Sequence, residues 1–234
     1  MTQATQDLVA AVRRALEAAG DGKKAGPMQA YMRSQMPFRG VQTPLLRKTL
    51  RPVFVAHPLP DRSAFEIAVR ELFLAASYRE ERYAAIELTG HRQYRDYLDL
   101  QSIPLLEDLI VAGAWWDFVD ELAIRRLGPI LRAHPAEAGS LLRRWVRDPD
   151  VWRRRAAIIA QIGSKEGTDL RLLTEAIDAN LADPEFFIRK AIGWALREYA
   201  KTDPIWVRTF VRERRSSLSA LSQREAKKHL TDAR

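Results

Sequence analysis

The sequence predicts an all-α fold, and three observations carry this prediction. Apolar residues recur with the 3.6-residue period of a helix along nearly the whole chain, and no run of alternating β-branched residues indicates a strand. Caps, prolines and glycines interrupt the pattern at short intervals, for example at Asp21, Asp61, Gly113, Pro135 and Pro204. Short helices with shorter connections are typical of antiparallel helix pairs, so we expect such pairs throughout the chain.

Three helix starts resemble one another, which indicates an internal repeat. They are REERYAAIEL at 79–88, VWRRRAAIIA at 151–160 and FFIRKAIGWA at 186–195. Aligning Ala84, Ala156 and Ala191 gives separations of 72 and 35 residues. One further copy is therefore expected about midway between the first two, near positions 119 to 120, where WWDFVDEL lies.

A period of this size in a helical chain is typical of stacked helical pairs of the HEAT or TPR kind. In such a solenoid, equivalent helices build one concave face. We expect a single domain spanning residues 1–234, in which residues 1–60 form an N-terminal helical cap. An irregular helical bundle is the alternative.

Composition narrows the classes of partner and cofactor. The formal charge of +8 favours a polyanion, most simply nucleic acid, although a base-composition bias could also explain the many arginines. The absence of cysteine excludes disulfides and thiolate zinc sites, and the four scattered histidines indicate no metal site, so no cofactor is expected. No apolar run approaches the roughly 20 residues that span a bilayer, and no signal peptide is recognisable, so we expect a cytoplasmic protein without a membrane partner.

The WWDFVDELAIRR segment at 115–126 separates into two faces when it is placed on a helix. The predicted core stripe contains Trp115, Phe118, Val119, Leu122 and Arg126.

Trp116 and Asp120 lie side by side on a flank of this stripe, because they are spaced i, i+4. Asp120 thus borders an apolar surface, whereas Asp117 and Glu121 are expected to be solvated. The alternative is that Asp120 pairs with a neighbouring arginine and Trp116 belongs to the core.

Arg155 occupies a position that helical periodicity would reserve for an apolar residue. It falls on one stripe with Val151, Ile158, Ile159 and Ile162. A buried arginine needs a partner, and either Asp120, one repeat earlier, or a phosphate could provide it. Arg153 and Arg154 project elsewhere and are expected at the surface.

In the third repeat, two faces also separate. Ile188, Ile192, Ala195 and Tyr199 form the predicted apolar face.

The other face gathers Lys190, Trp194 and Arg197 beside Gly193. An aromatic between two cations can stack on nucleic acid while the cations hold phosphates, and Gly193 would permit close approach. The alternative is that another helix covers Trp194. A solenoid would bring these groups together with Trp116, Asp120 and Arg155 on its concave, basic side.

Five segments of the chain resemble the AlkD-type DNA alkylation repair proteins, which are DNA glycosylases. The segments are YMRSQMPFRGV (31–41), REERYAAIEL (79–88), WWDFVD (115–120), WRRRAAI (152–158) and FFIRKAIGWALREYAKTDP (186–204). The resemblance implies a right-handed superhelical solenoid of HEAT-like repeats with a concave basic groove. It also implies an enzyme that removes cationic N-alkylated purines, chiefly 3-methyladenine and 7-methylguanine, from double-stranded DNA and leaves an abasic site.

The resemblance also implies roles for individual residues. Asp120 matches the family's catalytic aspartate, Trp116 and Trp194 match its paired aromatics, and Arg155 matches its motif arginine at the DNA. A further set is expected to contact DNA, namely Tyr31, Phe38, Arg154, Lys190 and Arg197.

An ionised Asp120 would stabilise the sugar oxocarbenium ion that forms as the glycosidic bond breaks, and would orient water. Because N-alkylation already makes the purine a good leaving group, no general acid is required. We expect a monomer associated with a bacterial nucleoid. Two other hypotheses remain, a non-catalytic protein that binds DNA structure and a scaffold that binds acidic protein partners.

Overall fold

The computed structural model describes residues 2–230, apart from the side chain of His229. This part of the chain contains fourteen α-helices and a few short 3₁₀ segments, and no strand, as the sequence predicts. The helices group into two compact units, unit 1 (Met1–Leu105) and unit 2 (Leu106–Arg234). Among the described helices, none is long and apolar enough to cross a membrane.

Unit 1 contains five α-helices followed by two 3₁₀ segments, Arg92–Tyr97 and Leu100–Ser102. The α-helices are α1 (Gln3–Ala18), α2 (Gly22–Met32), α3 (Thr43–Ala56), α4 (Arg62–Leu74) and α5 (Arg79–Thr89). Asp21 and Asp61 cap the starts of α2 and α4 with their side chains, in agreement with the predicted helix starts. Because α1 packs against α3, α4 and α5, residues 1–60 share a core with the helices that follow.

The loop between α2 and α3 is held by a buried carboxylate at the start of α5. Glu80 is fully buried and accepts hydrogen bonds from the backbone N–H groups of Arg39, Gly40 and Val41, at 2.9 to 3.0 Å. Gly40 has a φ of 87°, a left-handed conformation that favours glycine. Two of the segments that carry the family resemblance, at 31–41 and 79–88, are thus parts of one local structure.

Unit 2 contains the remaining helices, except that α6 begins in the last three residues of unit 1. They are α6 (Ile103–Gly113), α7 (Trp116–Leu122), α8 (Gly128–Ala133), α9 (Pro135–Trp145), α10 (Val151–Ile159), α11 (Leu170–Asp178), α12 (Phe186–Tyr199), α13 (Pro204–Glu213) and α14 (Ala220–Ala226). Between α7 and α8, residues Ala123–Leu127 form a π-helical turn. Such turns are frequent at functional sites.

Helices α7, α10, α12 and α14 pack side by side in chain order. The first three begin at Trp116, Val151 and Phe186, which are spaced by 35 residues each. The helix expected near positions 119 to 120 is therefore present, and the predicted spacing is confirmed within unit 2. Helices α9, α11 and α13 pack against this row: α9 and α11 contact α10, and α13 contacts α12 and α14.

Gly128, the first residue of α8, lies close to the backbone at the end of α10. A Cβ atom at this position would lie 2.5 Å from the backbone carbonyl oxygen of Ala160. We expect Gly128→Ala to lower the free energy of unfolding by about 1 to 2 kcal/mol, because the strain exceeds the helix-propensity gain of about 1 kcal/mol. Urea unfolding measures this change. Gly167→Ala, where a Cβ would meet nothing within 4 Å, is the matched control, and equal stability of the two variants would contradict the prediction.

Candidate active site

The segment that carries the candidate acid begins with an unusual backbone turn. Ala114 has a φ of 42°, and Trp115 then adopts an extended conformation as the N-cap of α7. Trp115 therefore precedes the helix and is half-buried, so its predicted place in the core stripe is wrong. Phe118, Val119 and Leu122 are fully buried, as predicted.

Trp115 belongs instead to an aromatic cluster shared by three helices. Its ring centroid lies 6.3 Å from that of Trp152 and 5.4 Å from that of Phe187, and the latter two are 5.1 Å apart. The cluster joins the starts of α7, α10 and α12, and it fixes the relative positions of these three helix ends.

Asp120 and Arg155 form a bidentate ion pair between α7 and α10. The Arg155 Nε donates to Oδ1 of Asp120 at 2.7 Å, and Nη2 donates to Oδ2 at 2.8 Å. The third guanidinium nitrogen, Nη1, donates to the backbone carbonyl oxygen of Phe187 at 2.6 Å. Of the two partners that the sequence left open for Arg155, the structure shows Asp120.

The two members of the pair differ in exposure, and this difference affects the pKa of the acid. The Arg155 side chain is 4% exposed and that of Asp120 is 15% exposed, so an edge of the carboxylate reaches the surface. Burial raises the pKa of Asp120 above its ordinary value and outweighs the opposing effect of Arg155. The neighbouring Asp117 raises it further. Asp117 and Glu121 are half-buried, and Glu121 lies 3.5 Å from Arg126, so neither is fully solvated as expected.

A second buried carboxylate organises the cations of α12. Glu225 of α14 accepts hydrogen bonds from Lys190 and Arg197, both at 2.7 Å, and pairs with Lys228 at 2.8 Å. The hydrogen bonds from Lys190 and Lys228 lower the pKa of Glu225 to about 2. Lys190 and Arg197, expected to hold phosphates, thus share Glu225 as an internal partner, although the Lys190 side chain stays 39% exposed.

Gly193 serves a different purpose from the predicted one. A Cβ atom there would lie 2.5 Å from Cβ of Glu225 and 2.9 Å from the carbonyl oxygen of Ser222. The close approach that Gly193 permits is that of α14, so the expectation that it admits nucleic acid is wrong. Trp194, the next residue, is only half-buried.

Side chains from α7, α10 and α12 converge on one cleft of about 350 Å³. Its lining consists of Trp116, Asp120, Arg155, Phe186, Phe187, Lys190, Trp194 and Arg197. All four residues predicted to be catalytic, Trp116, Asp120, Arg155 and Trp194, lie together here. The cleft combines one carboxylate, aromatic walls and several cations. Among the described residues, no group of three or more His, Asp or Glu side chains could hold a metal ion.

The other residues expected to contact DNA differ in how exposed their side chains are and in whether they are already bonded within the protein. Tyr31 is 78% exposed. Phe38 is 5% exposed and packs against Tyr83, so its ring is not presented to a ligand and the expectation for it is not supported. Arg154 pairs with Asp183 at 2.9 Å and also donates to two backbone carbonyl oxygens, which leaves its guanidinium largely engaged.

Sequence reasoning missed Phe186, Phe187 and Glu225. The two phenylalanines stand at the start of α12, ahead of the periodic face that begins at Ile188. Glu225 follows Lys190 by 35 residues, one repeat, just as Arg155 follows Asp120. The repeat spacing combined with opposite charge could therefore have identified Glu225.

Comparison with known proteins shows the family of the chain. A family model described as DNA alkylation repair enzyme matches residues 12–230. The chain belongs to the DNA alkylation repair enzyme family. A solved structure described as a predicted DNA alkylation repair enzyme from Enterococcus faecalis is 32% identical, with a TM-score of 0.81, and the match covers 92% of this chain and 98% of that chain. No curated protein matches the chain.

Glu225 gives this DNA alkylation repair protein a pH-dependent contribution to stability. Because the pKa of Glu225 is about 2 in the folded protein and near 4.5 when unperturbed, the contribution is complete above about pH 4.5 and is lost as pH falls towards 2. We expect Glu225→Gln to lower the free energy of unfolding by roughly 2 to 3 kcal/mol at pH 7 and by less than half of that at pH 3.

Urea unfolding of both proteins at the two pH values measures this difference. Glu213→Gln, an exposed acid on α13, is the control and should change stability little at either pH. A Glu225→Gln effect that is the same at pH 7 and pH 3 would contradict the assigned pKa.

Proposed function

We propose that the chain is a DNA glycosylase that hydrolyses the N-glycosidic bond of cationic N-alkylated purines in duplex DNA, leaving an abasic site. The substrates are 3-methyladenine and 7-methylguanine. The observation that carries the proposal is the convergence of Trp116, Asp120, Arg155 and Trp194 on one cleft. In a family of DNA alkylation repair enzymes, a partly exposed carboxylate that shares a cleft with two indoles is suited to a reaction that develops positive charge.

The chemistry of the lesion explains why one acid is sufficient. Alkylation at N3 or N7 gives the purine a positive charge, so it leaves as a neutral base without protonation. The developing charge then lies on the deoxyribose, as in glycoside hydrolysis generally. A preorganised carboxylate stabilises that charge and can orient the attacking water. Asp120 is the acid that lines the cleft.

Arg155 acts in this proposal as a positioning residue. Its two hydrogen bonds to Asp120 fix the plane of the carboxylate, and its bond to the carbonyl oxygen of Phe187 fixes the guanidinium. Each carboxylate oxygen keeps a lone pair for water or for the sugar cation. A unit charge pair 4 Å apart at an effective dielectric constant of 20 interacts by about 4 kcal/mol. Arg155 reduces this attraction without removing it, because Asp120 is the more exposed member of the pair.

The aromatic walls add a smaller, independent stabilisation. The indole faces of Trp116 and Trp194 favour a cation by about 0.5 to 2 kcal/mol each. Phe186, which is 52% exposed, extends the apolar wall of the cleft. An apolar wall lowers the local dielectric constant, which strengthens the electrostatic effect of Asp120.

The first test is Asp120→Asn, which removes the negative charge and keeps the shape. We expect release of 7-methylguanine from methylated DNA to fall by at least about 10²-fold, because preorganised charges of this kind contribute about that much. Binding to DNA that contains an abasic site should persist, and it reports that the variant is folded. Glu121→Gln, on the same helix but paired with Arg126, is the matched control and should retain activity.

Unchanged base release by Asp120→Asn would rule out the proposed role of Asp120. If the wild type binds DNA with strong salt dependence but releases no base, the chain is instead a non-catalytic DNA binder. The Asp120–Arg155 ion pair is the observation that favours this second function, because it satisfies the acid within the protein.

The second test is the dependence of the excision rate on pH. Asp120 acts as a carboxylate, so the rate should fall as pH decreases through its pKa, which burial places above the ordinary value of about 3.9. Arg155→Lys retains the charge but loses the bidentate geometry, so it should raise the pKa of Asp120 and move the acid limb to higher pH. Single-turnover rates from about pH 4 to 8, corrected for spontaneous depurination, measure the acid limb of each protein. An acid limb that Arg155→Lys leaves in place would contradict the coupling.

A further inference from the structure

A second cavity lies in unit 1 and is lined by none of the candidate catalytic residues. Its volume is about 580 Å³, and it lies beside the C-terminal ends of α3 and α5. Leu50 and Phe54, both almost fully buried, contribute an apolar floor. Arg47, Arg51 and Arg92 line the same cavity. An apolar floor beside several guanidinium groups is suited to bind an organic anion, whose apolar group would contact the floor.

The cavity lining contains three arginines and only one carboxylate, that of Glu87. Arg47 pairs with Glu87 at 2.7 Å. Among the residues that the structure describes, no carboxylate forms an ion pair with Arg51 or Arg92. Two guanidinium groups with planar donor forks thus remain available, and this geometry matches phosphate.

The two helix ends reduce this positive charge without cancelling it. The C-terminus of a helix carries about −0.5 of an elementary charge, so α3 and α5 together contribute about −1. Three guanidinium groups and one carboxylate contribute a net +2. The cavity therefore keeps about one unit of positive charge, enough to attract an anion.

His91 lies in the same cavity and is affected by its positive charge. Burial lowers its pKa, and the charges of Arg92 and Arg51 lower it further, so the ring is neutral near pH 7. Its Nδ1 atom is buried and has no hydrogen-bond partner. The ring is held edge-on against Phe54, with centroids 5.4 Å apart. An anion bound between Arg51 and Arg92 would lie close to this ring and change its environment.

We propose that this cavity is a phosphate-binding site, in which Arg51 and Arg92 hold the phosphate of a nucleotide or of a nucleic-acid strand and the apolar floor contacts its organic part. The site is independent of the proposed glycosylase activity, because none of its residues belongs to the cleft in unit 2.

The test uses the full chain and the imidazole NMR resonances of His91, assigned by comparison with His91→Gln. The probes are deoxyadenosine monophosphate, deoxyadenosine, and an unmodified duplex of about 12 base pairs. We expect a saturable shift of the His91 resonances with the monophosphate or the duplex, and none with deoxyadenosine. Binding of the monophosphate indicates a free nucleotide as ligand, whereas a response to the duplex alone indicates the backbone of a strand.

The variant Arg51→Gln with Arg92→Gln should weaken the binding that shifts His91 by about tenfold or more, since each charge-assisted contact is lost. Arg14→Gln, an exposed arginine of α1, is the matched control and should bind as the wild type does. The proposal is overturned if deoxyadenosine shifts His91 equally, if neither phosphate probe shifts it, or if the double variant binds normally. Base release from methylated DNA, measured on the same variants, separates this outcome from a failure of the proposed enzymatic function.

Discussion

The candidate site depends on the ion pair between Asp120 and Arg155. An arginine that is 4% exposed is unfavourable unless its charge and its donors are satisfied. Asp120 satisfies two of the guanidinium nitrogens and the backbone of Phe187 satisfies the third. These contacts link α7, α10 and α12, so the position of the acid in the cleft is determined by the same bonds that join three successive helices.

Other ion pairs of unit 2 also link successive helices but lie nearer the surface. In the row of α9, α11 and α13, Arg143 pairs with Glu175, and Arg214, which directly follows α13, pairs with Asp178, at 2.8 and 2.6 Å. These side chains are partly exposed, and such pairs contribute little to stability. Asp120 and Glu225, in the row of α7, α10, α12 and α14, are more deeply buried. Removal of one member there leaves an uncompensated buried charge, so a substitution in this row lowers stability more than one in the row of α9, α11 and α13.

Much of the fold and part of the site could be predicted from the sequence, because both follow from periodicity. The 35-residue spacing predicts the position of α7, and the charge of Arg155 within an apolar stripe indicates a buried partner. The errors come from contacts that periodicity does not encode. Trp115 lies outside the core stripe because Ala114 turns the backbone ahead of the helix. Phe38 is buried because Glu80, distant in sequence, fixes the loop that follows it.

The role of Gly193 also could not be predicted from the sequence alone. A glycine between cations and beside a tryptophan is compatible with close approach of a ligand or of another helix, and only the tertiary structure distinguishes the two. Here α14 occupies that space and brings Glu225 to Lys190 and Arg197.

The environments of Asp120 and Glu225 push their pKa values in opposite directions, and this difference separates their roles. Glu225 has three cationic partners, which lower its pKa to about 2 and keep it ionised at every physiological pH. Asp120 has one cationic partner, and burial raises its pKa. Glu225 is thus suited to hold the cations at the edge of the cleft, and Asp120, whose charge responds to its surroundings, is suited to respond to a cation that forms beside it.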